Sequence, residues 1–292
     1  MGSCNDGVLS MNIVYLNGLY LPQEKATVSV MDRGFLFGDG IYEVVPVFNG
    51  NFFGFDEHMA RMEKSLHAIQ IKNPHTPTEW KKIFETLLEK NNQTSGNYSC
   101  YCQITRGADT TRNHTFPDNL TPTAVAFITA FKTHTLHDLE KGYSAITSDD
   151  SRRRDCYIKA VNLLPNVLHL QKAKSMGAVE AILIRDNEVL ECTSSNVFIV
   201  KNNQLMTPPL SPHILSGITR QFILTLAKEN NIPYSENKIT ADMLKNADEV
   251  WVTGSVKEIC PIVTLDEKPV GDGKVGPVWK RMVALYEAKK PV

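Results

Sequence analysis

The chain has 292 residues, 42% of them apolar and 22% charged, a globular composition that excludes wholesale disorder and suits one large or two modest domains. Lys and Arg number 31 against 32 Asp and Glu, so no chain-wide charge draws it to nucleic acid or to an anionic membrane. No apolar run approaches the ~20 residues of a membrane span, and no basic-then-apolar segment opens the chain, so the expected setting is the cytoplasm. The six cysteines (Cys4, Cys100, Cys102, Cys156, Cys192 and Cys260) contain no CxxC pair. They read as free thiols in a reducing compartment, and no metal site is expected.

Residues 1–10 are small and polar and read as a frayed extension, followed by a strand at Ile13–Leu16. Val28–Met31 and Ile41–Phe48 read as strands, and Asp32–Gly40 between them as a loop too glycine-rich for a helix. His58–Ile69 is a predicted helix. The next helix announces itself with Thr76 as N-cap, Pro77 in the first turn and Glu79 closing a capping box. Its stripe of Trp80, Ile83, Phe84, Leu87 and Leu88 has helical spacing and belongs to a core. Tyr98–Thr105 and Thr123–Phe131 are strand-like, the second apolar enough to suggest cover on both faces.

The polar stretch 132–141, with His134 and His137 expected in solvent, is the predicted linker. It separates a small N-terminal α/β domain (11–131) from a larger C-terminal domain (142–292). In the second half, strands are expected at Tyr143–Thr147, Val179–Ile184 and Glu249–Thr253. Hairpins turn at Asp186-Asn187 and Asn202-Asn203. Helices are expected at Asn162–Met176, Ile218–Glu229, Thr240–Asn246 and Val278–Ala288. The class is α+β with much antiparallel sheet.

A few residues could carry chemistry. Lys159 lies in CYIKAV, and an ε-amine among apolar neighbours loses hydration of its ammonium form and becomes a nucleophile toward aldehydes. Glu191, in VLECTSSN, needs a buried donor or cation if it is inside. LSGITR (Leu215–Arg220) opens a helix, where the N–H groups of Ile218 and Thr219 and the Thr219 hydroxyl suit an anion. Thr253-Gly254-Ser255 could form a second small nest, and Arg61 could add a charge-assisted partner. Arg112-Asn113-His114 suits a carboxylate. Arg152-Arg153-Arg154 reads as a solvated charge run with room for one inward arginine. Each has a plainer reading on its own: a snorkelling lysine, a strand-end glutamate, helix capping, an exposed loop.

Their order is more specific than any one of them. DRGFLFGDGIYE (Asp32–Glu43), EHMAR (Glu57–Arg61), IKAVNLLPNVL (Ile158–Leu168), AILIRDNEVLECTSSNVF (Ala181–Phe198), LSGITR and VTGSVKEICP (Val252–Pro261) together resemble the fold-type IV pyridoxal-phosphate enzymes, from about Ile13 to the end of the chain. The resemblance implies a two-domain fold-type IV transferase with pyridoxal 5'-phosphate as cofactor. It makes Lys159 the lysine that binds the cofactor covalently and shuttles the substrate proton. It makes Glu191 the partner of the pyridine nitrogen and Arg61, Gly217, Ile218, Thr219 and Ser255 the phosphate cup, with Thr193, Ser194 and Leu215 about the ring. Within the family, RNH is similar to the Arg-x-His pair of D-amino acid aminotransferases, which binds the substrate carboxylate across a dimer interface. The implied function is ping-pong transamination between a D-amino acid such as D-alanine and a 2-oxo acid such as 2-oxoglutarate. The implied assembly is a homodimer with shared sites. Arg112, His114 and Phe35 are the implied substrate residues, with Phe35 where the resemblance expects a carboxylate-binding tyrosine. The alternatives in the family are an aminodeoxychorismate lyase, which eliminates pyruvate, and a branched-chain L-aminotransferase.

Overall fold

The computed structural model describes residues 12–133 and 135–291. The expectations for residues 1–10 and for His134 lie outside them.

The first part of the chain supplies β1 (Ile13–Leu16), β2 (Leu19–Pro22), α1 (Arg33–Phe37), β3 (Gly40–Phe48), β4 (Asn51–Phe52), α2 (Phe55–Ala68), α3 (Pro77–Lys90), β5 (Asn97–Thr105) and β6 (Thr123–Ala130). Its strands form an antiparallel sheet in the order β2-β1-β6-β5-β3-β4. α3 starts where the sequence says it must: Thr76 Oγ1 accepts from Glu79 N, and Glu79 Oε2 accepts from Thr76 N at 2.7 Å. The α3 stripe and Met59, Met62 and Leu66 of α2 bury against Ile41, Val45, Val47, Cys100, Cys102 and Ile104 of the sheet. Both helices therefore cover one face. β6 departs from the expectation of two covered faces: Ala124 and Ala126 are buried in this core, whereas Val125 and Phe127 alternate to a half-open side.

Two further readings are corrected. Val28–Met31 forms no strand: apart from Asp109 N on Met31 O at 3.3 Å it joins no ladder, and it runs into a turn closed by Asp32 N on Ser29 O at 3.0 Å. The glycine-rich segment holds the short helix α1. Asp32 caps it by accepting from Gly34 N at 2.8 Å, and Gly38 ends it with φ +68°. Gly34 is there for packing, since a Cβ would sit 2.2 Å from Thr105 Cγ2. Glycine content misleads where glycines serve contacts and caps rather than flexibility.

The second part supplies α4 (Leu136–Leu139), β7 (Tyr143–Asp149), α5 (Leu164–Ser175), β8 (Glu180–Arg185), β9 (Glu188–Cys192), β10 (Asn196–Lys201), β11 (Gln204–Thr207), α6 (Ile218–Glu229), β12 (Tyr234–Glu236), β13 (Ile239–Thr240), α7 (Ala241–Lys245), β14 (Glu249–Gly254), β15 (Glu258–Leu265), β16 (Lys268–Pro269) and α8 (Pro277–Lys289). Among the described residues these strands build one mixed sheet, β12-β11-β10-β14-β15-β7-β8-β9-β13, with β16 on β15. Here strands are covered on both faces. Phe198, Val200 and Trp251 point to α6 and α8, while the alternating Val197, Ile199, Val250 and Val252 join the core on the opposite side. The polar stretch 132–141 is not wholly solvated: Leu139 of α4 is buried in the core under α6 and α8, whereas His137 is exposed.

Candidate functional site

A cavity of about 360 Å³ opens between the two sheets' helices and loops, lined by Lys159, Glu191, Arg61, Leu215, Thr219 and Ser255 among others. Thr193, Ser194, Gly217 and Ile218 also line it. The residues singled out for a cofactor thus share one space.

Lys159 sits on the irregular segment between β7 and α5. Its backbone is pinned to β3, where Tyr42 N donates to Lys159 O at 3.0 Å, and to α2, where Ser65 Oγ accepts from Lys159 N at 3.3 Å. The half-buried side chain brings Nζ to 4.1 Å from the centroid of the Tyr42 ring. Tyr42 itself stacks on Tyr101, with centroids 5.7 Å apart.

Glu191 lies near the end of β9, buried. One oxygen takes a short hydrogen bond from Arg152 Nη1; the other accepts from Leu215 N at 3.0 Å and from Asn196 Nδ2 at 3.2 Å. Burial pushes its carboxyl up to about 7 against the opposing pull of Arg152. Arg152 is the inward arginine of the charge run. Burial alone would weaken its hold on the proton, but Asp150 and Glu191 reverse that and keep it cationic. Arg153 and Arg154 stay nearer the surface.

The candidate anion cradle is the N-terminus of α6. Gly217 is its N-cap and offers no side-chain cap, so the first-turn N–H groups have no intrahelical acceptor. A Cβ on Gly217 would lie 1.9 Å from Asn196 Oδ1, so only glycine fits. Arg61 approaches from α2. Its Nε and Nη2 donate to buried Glu43 at 2.7 and 2.8 Å, and its Nη1 to Ser216 O at 3.0 Å. His58 Nδ1 lies 2.8 Å from Glu43 and its Nε2 3.4 Å from Ser255 Oγ. Burial lowers His58 below the ordinary imidazole value, although Glu43 pulls the other way.

The turn 193–195 hangs on Glu180 of β8. The hydroxyls of Thr193, Ser194 and Ser195 donate to its carboxylate, as does Lys257 Nζ at 2.6 Å. Burial works to raise Glu180, but Lys257 and the hydroxyls outweigh it and hold it below the usual carboxylate range.

The three residues expected to bind substrate stand elsewhere. Phe35 is 73% exposed on α1 and lies outside the cavity, and Arg112 and His114 occupy an exposed loop that does not line it either. The tyrosine in the cavity is Tyr42, which sequence reasoning passes over because an aromatic within Ile41–Phe48 looks like core. Glu180 carries the same signal as Glu191, a carboxylate in an apolar strand run. Asn196, Arg152 and the Glu43–His58 pair need the fold.

A family model described as amino-transferase class IV matches residues 40–265. A D-alanine aminotransferase of Bacillus licheniformis is 40% identical over 269 residues, 92% of this chain and 94% of that protein. One from Listeria monocytogenes is 41% identical over 270 residues, covering 92% and 93%. Among solved structures, a branched-chain amino acid aminotransferase from Escherichia coli is similar with a TM-score of 0.86 at 26% identity, covering 95% of this chain and 94% of that one. A branched-chain aminotransferase from Thermoproteus uzoniensis, solved with norvaline, gives 0.83 at 26% identity, covering 94% and 93%. With its fold and most of its length in agreement, this chain belongs to the class IV aminotransferases.

Proposed function

We propose that the protein is a pyridoxal-phosphate transaminase that moves an amino group between a D-amino acid, D-alanine foremost, and a 2-oxo acid such as 2-oxoglutarate. The observation that carries this reading is the convergence of Lys159, Glu191 and the α6 N-terminus on one cavity, in a chain 40–41% identical to D-alanine aminotransferases.

The donor set fits the cofactor: an amine for an aldehyde, an acid for a pyridine nitrogen, and helix N–H groups with an arginine for a phosphate. When bound, pyridoxal phosphate supplies the aldehyde that takes up the amino group and the ring that accepts the electron pair left at the substrate's Cα. Arg61, the Ile218 and Thr219 N–H groups and the Thr219 and Ser255 hydroxyls hold the phosphate. Gly217 keeps that approach open, and Leu215, Thr193 and Ser194 flank the ring. Glu191 faces the pyridine nitrogen, backed by Arg152. Lys159 Nζ would take the proton from the amino donor's Cα and deliver it to the cofactor carbon that carried the aldehyde, and run the same transfer backwards to load the 2-oxo acid. Arg112 and His114 hold the α-carboxylate from a second copy of the chain.

Leu164, Val167 and Leu168 form an exposed apolar stripe at helical spacing on α5, which supports a homodimer. The division into domains 11–131 and 142–292 is supported by one sheet drawn from each part. The five cysteines among the described residues are free and buried, which supports a reducing, cytoplasmic setting, and no helix among those residues is long and apolar enough to cross a membrane.

The test is an amino-donor screen by enantiomer with 2-oxoglutarate as acceptor. Turnover of D-alanine without L-leucine supports the reading; the reverse preference moves the protein to the branched-chain group that its structural neighbours represent.

A further inference from the structure

Between β5 and β6 the chain runs through a long loop that carries Arg112 and His114, and one side chain of α1 holds it. Arg33 is 3% exposed. Its Nε donates to Asp39 Oδ2 at 2.9 Å. Its Nη1 donates to Asn113 O at 2.6 Å and Thr115 O at 3.3 Å, and its Nη2 to His114 O at 3.0 Å. One buried guanidinium therefore grips three consecutive carbonyls. A buried arginine needs its N–H groups answered, and the loop backbone answers them.

The neighbours reinforce the grip. Asp39 also accepts from Arg106 Nε and Nη2 at 2.7 and 2.9 Å, and the Arg106 guanidinium lies 3.6 Å from the centroid of Phe116 in the same loop. Phe37, one turn along α1 from Arg33, receives the Arg112 guanidinium at 4.9 Å and the His114 ring at 5.4 Å. Backbone and side chains of Arg112–His114 are thus both referred to α1.

Resting on the reading of Arg112 and His114 as carboxylate ligands, we propose that Arg33 is a positioning residue for substrate recognition, which fixes the loop 112–115 and so the direction from which the α-carboxylate is held. A loop without regular structure would otherwise be ordered anew at each binding event, at a cost in affinity. The planar fork of arginine spans three carbonyls; the point charge of a lysine cannot.

The test uses the cofactor-loaded enzyme with Arg33→Met and Arg33→Lys. KM and kcat for D-alanine are measured alongside amide hydrogen exchange over residues 112–116. Both variants are expected to raise KM about tenfold or more while kcat stays within about threefold. Cofactor absorbance is expected to be unchanged and amides 112–116 to exchange faster. Arg33→Lys keeps a charge beside Asp39, so it separates the grip on the loop from the ion pair, and it carries the test alone if Arg33→Met does not fold. Wild-type KM in Arg33→Lys, or unchanged exchange at 112–116, would overturn the proposal. If the wild type ignores D-alanine, the functional reading falls, and the exchange measurement by itself decides whether Arg33 holds the loop.

Discussion

Lys159 and Tyr42 come from segments far apart in the chain, yet a single backbone hydrogen bond of 3.0 Å ties them together and leaves the amine 4.1 Å from the ring centroid. The ring is itself held against Tyr101 across the sheet. The aromatic face therefore aims the amine. Loss of a ring contact worth ~0.5–1 kcal/mol makes Tyr42→Leu lower kcat by about two- to fivefold. Tyr42→Phe retains the ring, so any rise in KM for the amino donor that remains there measures the hydroxyl. Steady-state kinetics on both variants check this.

Glu43 is fully buried between Arg61 and His58. Burial would raise its carboxyl, but Arg61 and His58 outweigh it and hold it well below the usual carboxylate range. A depressed folded value stabilises the fold above the unfolded carboxylate range, and that contribution is lost as pH falls toward the folded value. Glu43→Gln should cost ~3–5 kcal/mol near neutral pH by leaving Arg61 without its counter-charge. The gap between variant and wild type should hold from pH about 7 to about 5 and narrow as pH falls below the unfolded glutamate value of about 4.3, in urea unfolding series.

Glu180 accepts from three hydroxyls and one ammonium beside the cavity. Glu180→Ala takes that acceptor from the three hydroxyls and leaves Lys257 with Val179 O and Ser194 Oγ, and should destabilise by ~3–5 kcal/mol. Lys257→Met should cost less, since its side chain is 32% exposed. Thermal melts rank the two, and dialysis against buffer should show faster cofactor loss in Glu180→Ala.

Gly217→Ala is expected to weaken cofactor retention without unfolding the protein. Its Cβ would collide with Asn196 Oδ1, and Asn196 also bonds Leu215 O and Glu191, so the α6 cradle must shift. A displaced anion cradle should lose about tenfold in cofactor affinity, read by equilibrium dialysis.

What is legible in the sequence is mostly local. The capping box at Thr76 and Glu79 and the α3 stripe write themselves in a dozen residues. Lys159, Glu191 and the α6 N-terminus are each ambiguous and become a set only through the order of their motifs. Long-range contacts hide the rest. The short α1 depends on Gly34 meeting Thr105, so its segment looks like loop. Tyr42 and Glu180 look like strand residues because what they face is set by other elements. Arg152 is masked by its two more solvated neighbours, and no local pattern reveals that Phe35 points away from the cavity while Arg33 turns inward.

The most direct measurement is borohydride reduction of the protein loaded with pyridoxal phosphate, followed by peptide mapping. The account expects the cofactor fixed on Lys159, with no incorporation in Lys159→Ala. A label on Lys257 or another lysine, or none at all, would contradict it.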